Sequence, residues 1–497
     1  MRRETDFTTA PRWAAATGML LLGACLGAAC GDDDGQQNQN NTSQDAGPGE
    51  DGGPGQDGAV GSDGGGQDGG PACGNLLVET VPTASTIGAP GGGVPAPGAS
   101  ITIAETGVRV TRISDVDDPG ADSSGYTNGY SRWSPANATG EYVTAFGTDG
   151  GAAVYRLSDR TVVASLNIGE SNELHWDSSS APGAATRLYY RAGAELRRLD
   201  VLTGMGNDAL VHDFTAEYPT AQVVINGVEG APSRDMRYWA FQVCAGMTGG
   251  GQCTGLMDVI VYDLQDDQVV GRLSAEESSI PTPNFVDMAP SGERIVVGSC
   301  KESGSTPAPW DGPYAWSRDF TSRVRLSTNC THSGWAYGLA GEEYHVAFDS
   351  CGAANEEITP TCDYIMAVDV NDPQGWDNRI GVLYAGDLGW GNGNHIGRIY
   401  EPHIRGWFLM STYTDSVDGW AANQLFFVEL VAESAGPRLW RITPTVTAYD
   451  GYWAEAFASL DFGAQHVYWG GNWDGADNLE LYQATLCDQW WDALNNL

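Results

Sequence analysis

An all-β fold, a seven-bladed propeller of four-stranded antiparallel blades, is what three features of this sequence predict. Beyond Pro82 no segment sustains helical periodicity, while short runs rich in Val, Tyr, Thr and Phe recur between clusters of Gly, Pro, Asp and Asn. That is the pattern of strands joined by tight turns. One turn with its flanking strands recurs seven times at spacings of about 43 to 62 residues, a period that marks propeller blades carrying insertions. A chain of 497 residues has room for two or three ordinary domains, but a repeat running through most of it makes a single domain.

The turns, each between a first and a second strand, are Trp133-Ser134-Pro135 before EYVTAF, Trp176-Asp177 before RLYY and Gly230-Ala231-Pro232 before RYWAF. Met288-Ala289-Pro290 precedes RIVVGS, Gly338-Leu339-Ala340 precedes YHVAF, Tyr400-Glu401-Pro402 precedes GWFLMSTY, and Leu460-Asp461-Phe462 precedes HVYWGG. Third strands such as AVYRLSD, DVIVYDLQDD and YIMAVDVND end in polar stops, and fourth strands follow, among them TVVASL, QVVGRL, RVRLST and RLWRIT. The seventh blade has only AEAFASL, QHVYWGG and LELYQATL before the chain ends. Residues 107–114, GVRVTRIS, are expected to supply its fourth strand and so close the ring, removing an edge that would invite aggregation.

Residues 1–24 read as a lipoprotein signal peptide. Arg2, Arg3 and Arg12 precede an apolar run at 14–24 that is too short for a permanent membrane helix. Leu22-Gly23-Ala24-Cys25 resembles the lipobox of bacterial lipoproteins, whose Cys sulfur receives a diacylglycerol and becomes the first residue. Lipidation is therefore expected at Cys25. Cys30 is the alternative, because cleavage there leaves an even number of free thiols. Residues 25–82 form a Gly/Asp-rich disordered tether, of which 31–71 holds nine acids and no base and cannot bury enough apolar surface to offset its ordering entropy. Residues 83–497 are the propeller. The expected setting is the envelope of a diderm bacterium, lipid-anchored at the outer membrane and periplasmic or surface-exposed, as a monomer.

In an exported chain an even set of cysteines reads as disulfides. Cys244 ends a second strand and Cys253 precedes the third of the same blade, as do Cys351 and Cys362; Cys300 ends another second strand and Cys330 precedes the next blade. The expected bridges are Cys244–Cys253, Cys300–Cys330 and Cys351–Cys362, all stapling loops of one face, with Cys73–Cys487 flanking the closing blade. No C-x-x-C occurs, which argues against zinc.

Chemistry is sought at the axis, where the first residues of the inner strands converge on that same face. Counting back from each turn places His332, His395 and Glu455 in adjacent blades five, six and seven. Two imidazoles and a carboxylate in this arrangement can hold a divalent metal, manganese or calcium, with open positions. His175 falls nearer the tunnel wall, in a packing role. Among loop aromatics, Trp310, Trp316 and Trp390 are candidate ligand-binding residues, since flat rings suit sugar or peptide stacking.

With 25 Lys+Arg against 64 Asp+Glu and a net charge of −39, a nucleic-acid partner is excluded, because polyanions are held by clustered cations. The same charge weighs against acidic glycans. No G-x-S-x-G elbow, Walker loop or H-E-x-x-H is present, which removes several common enzyme classes.

WSPANATGEYVTAF and APSGERIVVGS resemble the W-S-P-D-G repeat of TolB-like propellers. NHIGRIYEPHIRGWFLMSTY, RLWRIT and YWAEAFASLDFGAQHVYWGGNW resemble the seven-bladed propellers related to oligogalacturonate lyases. That second resemblance implies a manganese ion at the funnel, held by several His and a Gln, neutralising a uronate carboxylate so that a base can remove the C5 proton; His332 and His395 match two ligands. No third inner-strand His accompanies them and the Gln has no identifiable counterpart. The leading expectation is thus a ligand-binding or scaffold module that engages a glycan or an envelope protein through its stapled face. A metal-dependent polysaccharide lyase acting on uronate-containing glycans is the alternative.

Overall fold

A computed structural model describes Cys73 and residues 76–497, apart from 82–83, 92, 121–122, 168–172, 228, 249–250, 300–309, 311, 329, 350–362, 416–417, 450 and 476–477. The signal peptide and most of the tether, with Cys25 and Cys30, lie outside the described residues, as do Cys300, Cys351 and Cys362. Seven antiparallel sheets form, five of four strands and two of five. Their inner strands are Tyr126–Thr127, Leu174–Trp176, Val223–Ile225, Phe285–Met288, Ser333–Tyr337, Gly393–Ile396 and Ser459–Leu460 in blades one to seven.

The second strand of a blade is covered on both faces by neighbouring blades, so its sequence reads as an apolar run with little alternation. Trp407–Tyr413 and Tyr142–Gly147 each leave a single residue less than fully buried. The recurring turns tie blade to blade. Trp176 donates its indole N–H to the Pro135 carbonyl at 2.7 Å, and Trp133 donates to the Gly230 carbonyl at 2.7 Å. At Gly230 a Cβ would stand 1.9 Å from the Val286 carbonyl oxygen, so blades three and four approach there as only glycine allows.

Ring closure follows the expected scheme. Arg109–Arg112 pairs antiparallel with Glu480–Thr485 as the fourth strand of blade seven. Two further strands lie outside it: Ser100–Thr102 adds a fifth strand to blade seven, and Val78–Thr80 adds one to blade six along Arg438–Pro444. The second of these falls inside the range assigned to the tether, so ordered chain begins ahead of position 83. Glu79 secures it, accepting from Arg441 at 3.2 Å and from the Ser85 hydroxyl at 2.6 Å. Covering both outer strands protects the edges of the closing blades.

Cys73 is bridged to Cys487 and Cys244 to Cys253. Cys330 is also disulfide-bonded, and its sulfur lies 3.5 Å from the Gly298 carbonyl oxygen, two residues before Cys300. Strand direction alternates through each blade, so inner strands, loops between second and third strands, and blade connections begin on one face. The ends of first and third strands share the other. Cys244–Cys253 therefore sits at the funnel face. Cys487, just past the third strand of blade seven, sits at the opposite face beside the helix Trp490–Asn495. Trp490 anchors that helix, its ring 4.3 Å from Phe427 and 5.2 Å from Trp440.

Candidate metal centre at the funnel mouth

His332 immediately precedes the inner strand of blade five, His395 lies within that of blade six, and Glu455 follows the 3-10 turn Tyr452–Ala454 leading into blade seven. The fold brings the three together: their ligand-capable atoms all lie within 4.8 Å of one another. A cation with ligands at about 2.0 to 2.2 Å gathers donors across roughly 4 to 4.4 Å, so small adjustments complete such a site. His395 Nε2 stands 2.8 Å from Glu455 Oε2, and the rings of His332 and His395 stack at 4.0 Å and 26°.

The surroundings prepare these side chains as ligands. His332 Nδ1 lies 2.7 Å from the Asn394 carbonyl oxygen. This contact fixes the proton on Nδ1 and leaves Nε2 with its lone pair outward, as a metal-bound imidazole requires. Burial holds the His332 pKa down at about 3, with His395 adding to the effect. Burial, then the nearby Arg132 charge, does the same to His395. Both imidazoles are neutral at ordinary pH. Burial pushes Glu455 up to about 7, opposed by His332 and by a hydrogen bond from Tyr413. A weakly solvated carboxyl beside two neutral imidazoles gains more from a cation than an exposed set does. Among the described residues the cluster holds two histidines and one carboxylate, so a bound ion keeps positions open to a ligand.

Beneath the cluster the axis is filled by an ion network that sequence reading missed. Arg132 of blade one donates to the Ser333 carbonyl of blade five at 2.6 Å and to Glu229, after the inner strand of blade three, at 2.9 Å. Arg398 of blade six donates to Asp287 of blade four at 3.0 Å and to the Pro232 and Met288 carbonyls. Asp287 also accepts from the Trp335 indole at 2.6 Å and from the Ala231 amide at 2.8 Å. An Arg three residues after His395, just past the end of the inner strand Gly393–Ile396 and followed by Ile399, is the available signal. His175 packs edge-on between Trp133 and Trp239, at 5.2 and 5.5 Å, in the wall role expected of it.

The aromatic candidates divide. Trp310 and Trp316 are 6 % and 5 % exposed and stack on each other at 5.8 Å within the core between blades three and four. Trp316 belongs to the third strand of blade four, Tyr314–Ser317, so these two rings serve as core and offer no open face to a ligand. Trp390 is 55 % exposed.

The fold is similar to that of solved oligogalacturonate lyases. One, from Vibrio parahaemolyticus, aligns with a TM-score of 0.50 at 12% identity, covering 80% of this chain and 100% of that one. Another, in complex with manganese, aligns with a TM-score of 0.49 at 14% identity, covering 81% and 100%. The WD40 domain of Neurospora crassa Pan2 aligns at 0.43 and 10% identity, covering 75% and 95%. At 12% identity the likeness to the Vibrio structure extends to the propeller fold alone. No protein-family profile and no curated protein sequence matches the chain.

Proposed function

We propose that the protein is a ligand-binding propeller of the bacterial cell envelope, tethered through its lipidated N-terminus, whose binding site is the funnel mouth over a divalent cation. The observation that carries this reading is the convergence of His332, His395 and Glu455 from three successive blades, with their ligand-capable atoms within 4.8 Å. Those residues would hold the ion, manganese or calcium, and its open positions would accept oxygen atoms of a ligand. The acid excess of the chain supports binding over cleavage of a polyuronate, since an anionic domain repels that substrate.

Elemental analysis of the purified protein after incubation with manganese or calcium tests the reading. About one equivalent is expected, lost in His332→Ala and His395→Ala; a metal-free wild type would overturn it. The lyase alternative replaces this reading if oligogalacturonate incubated with the loaded protein yields unsaturated product absorbing in the ultraviolet.

A further inference from the structure

The connections over blade six carry a second feature at the funnel mouth. Starting at the metal cluster, rings stack outward in near-parallel planes. His332 lies on His395 at 4.0 Å and 26°, His395 on Tyr413 at 5.3 Å and 25°, and Tyr413 on Tyr449 at 5.9 Å and 19°. The ladder ends in solvent, with Tyr449 38 % exposed. On a different connection over the same blade stands Trp390, its orientation set by an edge contact with Tyr384 at 5.7 Å. Among the described residues, the exposed large apolar side chains include two aromatics, Trp390 and Tyr449, and both belong to this rim. Their neighbours hold them in place, so a ligand stacking on them meets rings whose rotamer freedom is already restricted.

Charge selects the ligand. Among the described residues, the three connections over this blade, within 385–392, 414–423 and 445–458, carry Asp387, Asp415, Asp418 and Glu455 and no Lys or Arg. An anionic chain would be repelled there. Aromatic faces beside acids and a cation suit a ring with apolar C–H faces and hydroxyl edges.

We infer that Trp390 and Tyr449 form a stacking platform for an uncharged oligosaccharide, one sugar lying on the rim and the adjoining hydroxyls directed toward the His332–His395–Glu455 cluster. This inference rests on the funnel mouth being the ligand site, and it names the ligand class.

The experiment is calorimetric titration of the metal-incubated, full-length protein with cellohexaose, xylohexaose, mannohexaose and maltohexaose, with oligogalacturonate of matching length as the acidic probe. Trp390→Ala and Tyr449→Ala are titrated in parallel, and the metal content of each protein is measured. At least one neutral hexasaccharide is expected to bind, with each substitution weakening it by up to about tenfold while metal content stays at the wild-type level. Binding of oligogalacturonate alone, neutral binding untouched by both substitutions, or no neutral binding by a protein that holds its metal would each overturn the platform. Neutral binding that both substitutions weaken, in a protein without metal, would uphold the platform while the metal reading fails.

Discussion

Arg398 and Asp287, from blades six and four, meet across the axis with 3.0 Å between guanidinium and carboxylate and neither side chain exposed. Removing one partner strands the other's charge out of water, which costs about 3 to 5 kcal/mol. Arg398→Met is expected to lower stability by that order in denaturant unfolding. The double variant Arg398→Met/Asp287→Asn is expected to regain part of the loss, because it removes the stranded charge.

Tyr413 acts on the His332–His395–Glu455 cluster through Glu455, to which it donates a hydrogen bond. Hydrogen bonds to ligand groups orient them, and losing one typically weakens metal affinity by about 10 to 100-fold. Tyr413→Phe keeps the stacked ring and deletes only the hydroxyl. It is expected to weaken manganese or calcium binding by about tenfold in competition with a chelator, with an unchanged unfolding midpoint for the metal-free protein.

Glu480 makes stability depend on pH at the closing blade. Burial pushes its carboxyl up to about 7 despite Arg112 at 3.1 Å and hydrogen bonds from Ser114 and the Val116 amide. A group with a raised folded-state pKa binds its proton more tightly folded than unfolded. Its contribution is therefore present below its ordinary value near 4.5 and is lost as pH rises through about 7. Glu480→Gln keeps an acceptor oxygen and cannot ionise. Between pH 5 and 8.5 the wild type is expected to lose on the order of 2 to 3 kcal/mol relative to this variant, read as a growing gap between their melting temperatures.

The two bridges with both partners described should differ in worth. Cys244–Cys253 spans a separation of 9 residues and Cys73–Cys487 one of 414. If chain entropy governs, the first contributes about 2 to 3 kcal/mol and the second about 6. Cys73→Ser/Cys487→Ser is expected to lower the unfolding free energy roughly twice as far as Cys244→Ser/Cys253→Ser. Equal losses would place the stabilisation in native contacts around the bridges.

Blade count, closing strand and the convergence of His332, His395 and Glu455 are legible because each depends on a repeated local pattern. Inner strands start at one face and run similar lengths, so counting back from a turn lands near the axis, as it did for His332, His395 and Glu455. Other features have no such pattern. Val78–Thr80 and Ser100–Thr102 are three-residue strands that lie ahead of the first repeat, with no recurring turn to mark them. The axial ion network joins residues such as Asp287 and Arg398, 111 apart in sequence, and only the closed ring makes them neighbours. Trp316 reads as a loop residue in the sequence because its strand, Tyr314–Ser317, is short and follows a long insertion, which hides its place as a third strand.

The bridge between Cys73 and Cys487 also decides how the domain carries load. Tension applied to residues ahead of Cys73 passes through a covalent bond into the far end of the chain, at the face opposite the funnel. The edge strands between Cys73 and blade one thus lie inside a closed covalent loop. They cannot be peeled from the ring one hydrogen bond at a time, as a free terminal strand would be. A propeller held this way resists pulling as a hoop does, and its open mouth keeps its shape while the opposite face bears the strain.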